Sequence, residues 1–313
     1  MNIRPDTPRT KGPLVFLDMD QQALDEAYDQ EIYAPNRALV VERRKAASDR
    51  ARAILGAPKR VIYGPSEYEG LDIFDCGIKG APVNVFVHGG AWRRNVAADY
   101  ALQAEPLLRA GAHCVLIDFI NVDQAKGDLF PMYEQVRRAL AWVWNNAASF
   151  GGDRERLYVS AHSSGSHLSG VVLTRGLKEE GLPPDAFKGA VLLSGMYDLA
   201  PVALSKRSSY VSFTPAMIEK LSGGRYIGDL QTPLVLAYGT VSQLGFITSI
   251  AAVGSREAMQ AALALTFAHS LFKAALFMVV GAIDHCSGTR DITKLSGLGR
   301  KEPFLFGIAI ISG

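Results

Sequence analysis

The stretch Leu157-Tyr158-Val159-Ser160-Ala161-His162-Ser163-Ser164-Gly165-Ser166-His167-Leu168 decides how this chain is read. It has the pattern of a strand, a tight turn and the opening of a helix, with Ser163 in the turn. At a strained strand-to-helix bend the backbone and the following helix approach so closely that only small residues fit two before and two after the turn serine. Ala161 and Gly165 meet that need, with Ala161 standing where glycine is usual. The pattern points to Ser163 as a nucleophile. Alone it is weak, since a small-x-Ser-x-Gly match arises by chance in about one chain in ten, and an ordinary serine-rich turn is the bland alternative.

A second motif strengthens it. His88-Gly89-Gly90-Ala91-Trp92 directly follows the apolar run 83–87. Successive glycines leave backbone N–H groups free to converge on one point, where they would stabilise the oxyanion of an acyl-transfer reaction together with the N–H of Ser164. Gly89, Gly90 and Ser164 are therefore the expected oxyanion hole. His88 reads as a structural residue that orients the loop, and Trp92 as a pocket wall or a core residue. Two motifs about 75 residues apart, each after its own strand and in this order, are far harder to produce by chance than either alone.

Outward from these motifs, β-rich runs at 60–63, 71–74, 83–87, 113–119, 157–160, 190–193 and 234–238 alternate with helix-like segments at about 98–109, 132–149 and 166–177. Runs that are apolar throughout suit parallel strands covered on both faces. The alternation predicts an α/β fold, with a mostly parallel central sheet and helices on both faces. Residues 20–55 have helical spacing and stop at Gly56-Ala57-Pro58, which predicts an N-terminal helical arm over 1–58 ahead of an α/β domain over 59–313.

A serine nucleophile needs a base and a carboxylate to orient it, and in such folds both follow the serine, acid first. Of six histidines, His88, His113, His162 and His167 precede or crowd the turn, leaving His269 and His285. His285 follows the run Leu276-Phe277-Met278-Val279-Val280 by a short loop containing Gly281, which predicts a strand's C-terminal end and makes it the expected general base. His269 lies within an apolar helical stretch and reads as a core histidine. The acid is expected after 234–238, yet Gly239-Thr240-Val241-Ser242-Gln243-Leu244-Gly245-Phe246 contains no carboxylate. Asp198 is the nearest earlier substitute, with a local cap contact as the stronger reading. Asp284 adjoins His285, and neighbouring side chains usually diverge.

A net charge of +2 with 20% charged residues shows no basic excess, so no nucleic-acid partner is expected. Cys76, Cys114 and Cys286 are scattered without CxxC spacing and read as reduced thiols. No His/Asp/Glu cluster has ligand spacing, so neither a metal nor another cofactor is expected. The N-terminus lacks an apolar secretory region, which favours a cytoplasmic protein. Residues 259–283 are nearly all apolar, but His269 and Lys273 near the middle favour a buried helix and strand over a membrane span. The oligomeric state is open, with a homodimer as one option.

The combination of His88-Gly89-Gly90-Ala91-Trp92 with His162-Ser163-Ser164-Gly165-Ser166-His167-Leu168 resembles the kynurenine formamidase (arylformamidase) group of α/β-hydrolases, near the hormone-sensitive-lipase-like esterases. Tyr28-Asp29-Gln30, Tyr63-Gly64-Pro65, Ala147-Ala148-Ser149-Phe150-Gly151-Gly152-Asp153, Ser194-Gly195-Met196-Tyr197-Asp198-Leu199 and Arg207-Ser208-Ser209-Tyr210 extend the likeness from about residue 20 to Thr240. The resemblance implies cofactor-free hydrolysis of an aryl formamide, such as an N-formylkynurenine-like compound of tryptophan catabolism, or of a small ester. A Ser-Asp-His triad would act through an acyl-enzyme on Ser163. Trp92, Tyr197 and Tyr210 by themselves suggest an aromatic-lined pocket, with core packing as the alternative. After Thr240 the acidic Pro-Glu-Phe-like and later Asn-His-Phe-Glu-like stretches of the family are missing. Either this member diverged, or its tail is read in a shifted frame. The missing acid also makes a catalytically impaired, binding-only homologue the alternative to an active hydrolase.

Overall fold

The computed structural model describes residues 11–237. The arm begins with a small hairpin of β1 (Leu14–Phe16) and β2 (Met19–Asp20), followed by α1 (Gln21–Ala27), α2 (Gln30–Tyr33) and α3 (Arg37–Leu55). The expected single helical run is thus broken. The Asp20 carboxylate caps α1 through the Ala23 N–H, and Pro35 disfavours helix at Ala34, so α2 stops before it. Gly56, at φ +83°, ends α3.

The sheet has seven strands in the order β3-β4-β6-β5-β7-β8-β9. They are β3 (Lys59–Ile62), β4 (Gly70–Phe74), β5 (Ala81–Val87), β6 (His113–Ile117), β7 (Gly152–His162), β8 (Gly189–Leu193) and β9 (Leu234–Ala237). Pairing is antiparallel at the β3–β4 and β4–β6 edges and parallel from β6 through β9. Between strands lie a 3₁₀ turn, Ala97–Gln103, leading into α4 (Ala104–Arg109), then α5 (Phe130–Asn146), α6 (Ser164–Val171), which widens into a π turn at Val172–Gly176, and α7 (Leu177–Glu179). After β8 come α8 (Ala200–Leu204) and α9 (Pro215–Leu221).

The central strands are apolar without alternation because both faces are covered. Val83, Val85 and Val87 of β5 and Val115 and Ile117 of β6 point into one core with Val136 and Leu140 of α5 and Leu168 of α6. Phe86, Cys114 and Leu116 point the other way, against Tyr100, Ala101 and Ala104. Helix α3 of the arm lies over this second layer and hydrogen-bonds to it, its buried Ser48 hydroxyl donating to the Asp99 carbonyl at 2.7 Å. Farther along the sheet the second face is open, and Tyr158, Val191 and Val235 are exposed.

Register sets the position of the site. Val87, the last residue of β5, pairs with Ala161 near the end of β7, so the loops leaving these strands meet at the carboxyl edge of the sheet. The first compact unit spans Met1–Tyr238 and contains the arm; the second spans Gly239–Gly313.

Candidate active site

Ser163 occupies the bend between β7 and α6 with φ +52° and ψ −120°, a conformation that costs a non-glycine residue about 1–3 kcal/mol. The bend is held on both sides: the Ser163 N–H donates to the Leu193 carbonyl at 2.7 Å, and its carbonyl accepts from the His167 N–H at 3.1 Å. The demand for small neighbours has a direct cause. A Cβ on Gly165 would lie 2.3 Å from the Val87 oxygen and 2.4 Å from that of His88. Ala161 is buried between Val87 and Leu192 in the sheet.

The 88–92 loop runs against this bend. A Cβ on Gly89 would sit 2.6 Å from the His162 oxygen and 2.9 Å from the Ser163 Cβ, and one on Gly90, at φ +139°, would sit 2.1 Å from the Arg94 oxygen. Ala91, Trp92 and Asn95 also have positive φ. The N–H groups of Gly89 and Gly90 donate to no partner among the described residues, and Ser164 opens α6, where the first N–H groups of a helix lack intrahelical acceptors. The fold thus brings Gly89, Gly90 and Ser164 around Ser163.

The histidines near the bend are committed elsewhere. His88 stacks on Phe119 at 4.5 Å between ring centroids. Its Nδ1 lies 3.1 Å from the Gly89 carbonyl, which only accepts, so Nδ1 carries the proton; burial holds the ring neutral by lowering its pKa. His167 accepts from Trp92 Nε1–H at Nδ1, at 3.2 Å, and donates from Nε2 to the Leu221 carbonyl at 2.8 Å. Burial pushes its pKa down to about 4. His162 is lowered first by burial and then by the charge of Arg44. The Ser163 hydroxyl has no hydrogen bond to a histidine or a carboxylate among the described residues. His285, Asp284 and His269 lie outside the described residues.

Trp92 is buried and walls a small cavity of about 10 Å³ with Gly89, Phe119, Met132 and Ser164, room for one water-sized group. Tyr197 does not line that cavity. It lines a separate apolar cavity of about 230 Å³ with Leu173, Leu192 and Leu236. The reason is steric: its ring is wedged between α6 and β8, so that a Cβ on Gly170 or Gly195 would fall within 2.8 Å or 2.4 Å of it. Asp198 is exposed and caps the Ala200 N–H at 3.0 Å, which is the local contact anticipated for it.

Donor atoms of Asp75, Cys76 and His113 lie within 4.8 Å of one another. Linear spacing concealed this group because pairing of Phe74 with Cys114 across β4 and β6 creates it. It sits at the opening of β6, the opposite edge of the sheet from Ser163, and no comparable group occurs at Ser163 among the described residues. Sequence reasoning also missed Asn95, whose Nδ2 donates to the Gly89 carbonyl at 2.8 Å, and Arg44 of α3, whose guanidinium donates to Asn95 Oδ1 at 2.9 Å. Neither residue belongs to a periodic pattern or a motif.

Comparison with known proteins divides the chain in the same region. The BD-FAE family model matches residues 71–186. A kynurenine formamidase of Danio rerio is 30% identical over 189 residues, 60% of this chain and 62% of that protein; the chain therefore spans less than two thirds of that relative's length. A crystal structure from Silicibacter sp. tm1040 superimposes with a TM-score of 0.55 at 18% identity, covering 68% of this chain and 89% of the other, which supports the fold. Residues 227–312 match a different model, NADH:quinone oxidoreductase/Mrp antiporter, TM. The Na⁺/H⁺ antiporter subunit A1 of Staphylococcus aureus (strain Newman) is 40% identical over 91 residues, 25% of this chain and 11% of that protein.

The tail is thus neither a diverged hydrolase end nor a shifted reading frame, since a shifted frame has no reason to match another family in the frame as written. The described residues have an α/β-hydrolase fold, the chain is similar to kynurenine formamidases over 189 residues, and residues 227–312 are similar to antiporter subunits.

Proposed function

We propose that this chain carries a serine acyl-transfer site for an aryl formamide or a small carboxylic ester. The observation that carries the reading is Ser163 at φ +52°, pressed against Gly89, with the N–H groups of Gly89 and Gly90 unengaged beside it. Strain at a serine, combined with backbone donors left without partners in the loop packed against it, suits acyl transfer and is not needed by an ordinary turn. In this reading Ser163 attacks the carbonyl carbon while its hydroxyl proton passes to a base, the role expected of His285; the oxyanion settles against Gly89, Gly90 and Ser164, the amine or alcohol departs with that proton, and water then hydrolyses the acyl-enzyme. The small cavity behind Gly89 and Ser164 favours a short acyl group. A fluorophosphonate probe tests the nucleophile: labelling is expected in the full chain and lost in Ser163→Ala, and an unlabelled wild type refutes the assignment. A panel of N-formylkynurenine and short p-nitrophenyl esters then separates formamide from ester preference.

A second reading, that turnover is impaired, is favoured by a specific observation. The described histidines near Ser163 are engaged or unlinked to it, Asp198 is capping α8, and the tail that would supply the base resembles another family. Under this reading the site binds and is acylated slowly, and added imidazole raises the rate of ester hydrolysis by standing in for the missing base. A rate insensitive to imidazole, with full turnover, excludes it. For residues 227–312, the similarity to antiporter subunits leads us to propose a membrane-derived segment, in place of the buried helix and strand first expected for 259–283.

A further inference from the structure

We infer that Asn95, gripped by Arg44 of the N-terminal arm, is a positioning residue for the oxyanion hole. The inference rests on the acyl-transfer reading above and deepens it by giving the arm a part in the site.

One peptide plane links Asn95 to the site. Among the described residues no peptide bond is cis, and in a trans peptide the carbonyl and the following N–H point in opposite directions. Fixing the Gly89 carbonyl therefore aims the Gly90 N–H. That carbonyl is fixed from behind by two donors, Asn95 Nδ2 at 2.8 Å and His88 Nδ1 at 3.1 Å. With its oxygen held by Asn95 and His88, the peptide has its N–H on the other side, and Ser163 packs against Gly89 in the same loop.

Asn95 is itself held in an unusual conformation, φ +76°. Its amide has two ends that could exchange places, and only one arrangement presents a donor to Gly89. Arg44 decides between them, because a guanidinium only donates: its Nη2 takes Asn95 Oδ1 at 2.9 Å, which leaves Nδ2 for the Gly89 carbonyl. The other guanidinium arm donates to Tyr100 Oη at 2.8 Å, Asn95 Nδ2 reaches the same oxygen at 3.2 Å, and the guanidinium carbon stands 4.3 Å from the centre of the Tyr100 ring. Arg44 Nε is buried without a partner. Arg52 on the same helix fastens the arm to the sheet separately, through the buried Asp72 carboxylate at 3.4 Å, so the arm has an anchor that does not involve the 88–95 loop. The charge of Arg44 also strengthens each donor along the relay toward the site.

The test uses the full chain with Asn95→Ala, Arg44→Met and, as control, Arg52→Met, which loosens the arm without touching the loop. Two readouts are taken: the second-order rate of Ser163 labelling by a fluorophosphonate, and hydrogen–deuterium exchange over 88–95, where the Arg93 and Arg94 amides are bonded to the Gly90 carbonyl. Labelling is expected to slow about tenfold or more in Asn95→Ala and Arg44→Met, with faster exchange confined to that loop, while Arg52→Met matches the wild type. Labelling and exchange at wild-type rates in Asn95→Ala would overturn the inference, and so would an equal effect of Arg52→Met. If wild-type Ser163 does not label, the acyl-transfer reading falls by itself, and the exchange result still decides whether Arg44 and Asn95 order the loop.

Discussion

At the scale of single residues, the site is made from strain and close approach. Ser163 pays for its place with a left-handed φ, and glycine adopts that conformation without steric penalty. Ser163→Gly should therefore raise the unfolding free energy by about 1 kcal/mol while abolishing labelling, as measured by urea denaturation; a decrease would mean that the bend is not strained. The reverse holds two residues on. Gly165→Ala drives a methyl group into two backbone oxygens, neither of which can swing aside as a flexible side chain would. A loss of about 3 kcal/mol or more is expected, with labelling lost, in the same denaturation experiment. Both positions were legible from spacing, because a strand, a tight bend and a helix demand small residues at set intervals. Asn95 and Arg44 were not legible, since 51 residues separate them and neither repeats with any period.

Among the elements, the strands were the most legible part. All seven runs became neighbours in one sheet, with ends moved by a few residues, as with 113–119, which stops at Ile117. The helices shifted more in type than in place: the beginning of 98–109 is a 3₁₀ turn, and 166–177 contains a π turn. Helix α6 is pinned by His167, which bridges the Trp92 ring and the Leu221 carbonyl, and this pin predicts a pH response. Burial lowers the His167 pKa from an ordinary 6.5 to about 4, so between these values the unfolded chain binds a proton that the folded chain refuses. Stability contributed by this group is full above the unfolded pKa and is lost as pH falls toward the folded one, by at most about 3 kcal/mol. His88 and His162 shift in the same direction. Denaturation midpoints measured from pH 7 to pH 4 should decline, less steeply in His167→Gln; an unchanged slope would show that His167 does not contribute.

For the molecule as a whole, the join matters most. The hydrolase-like unit ends at Tyr238 and the antiporter-like match begins at residue 227, so the two patterns overlap at β9. If the tail keeps the character of its relatives, the full chain should partition into membranes and stay there after alkaline carbonate washing; release into the supernatant would contradict this. Among the described residues, no helix is long and apolar enough to cross a membrane. Read without coordinates, the chain already determined its α/β class, the strand–turn–helix bend at Ser163 and the glycine loop against it, because these depend on local periodicity and on small residues at fixed spacing. Only the tertiary structure decided that Trp92 and Tyr197 face different cavities, that the ring nitrogens of His167 are both engaged, that Asp75, Cys76 and His113 come together, and that the arm reaches the 88–95 loop. Each of these is a contact between residues brought together by strand order and packing, and no pattern along a single chain encodes which distant side chains will meet.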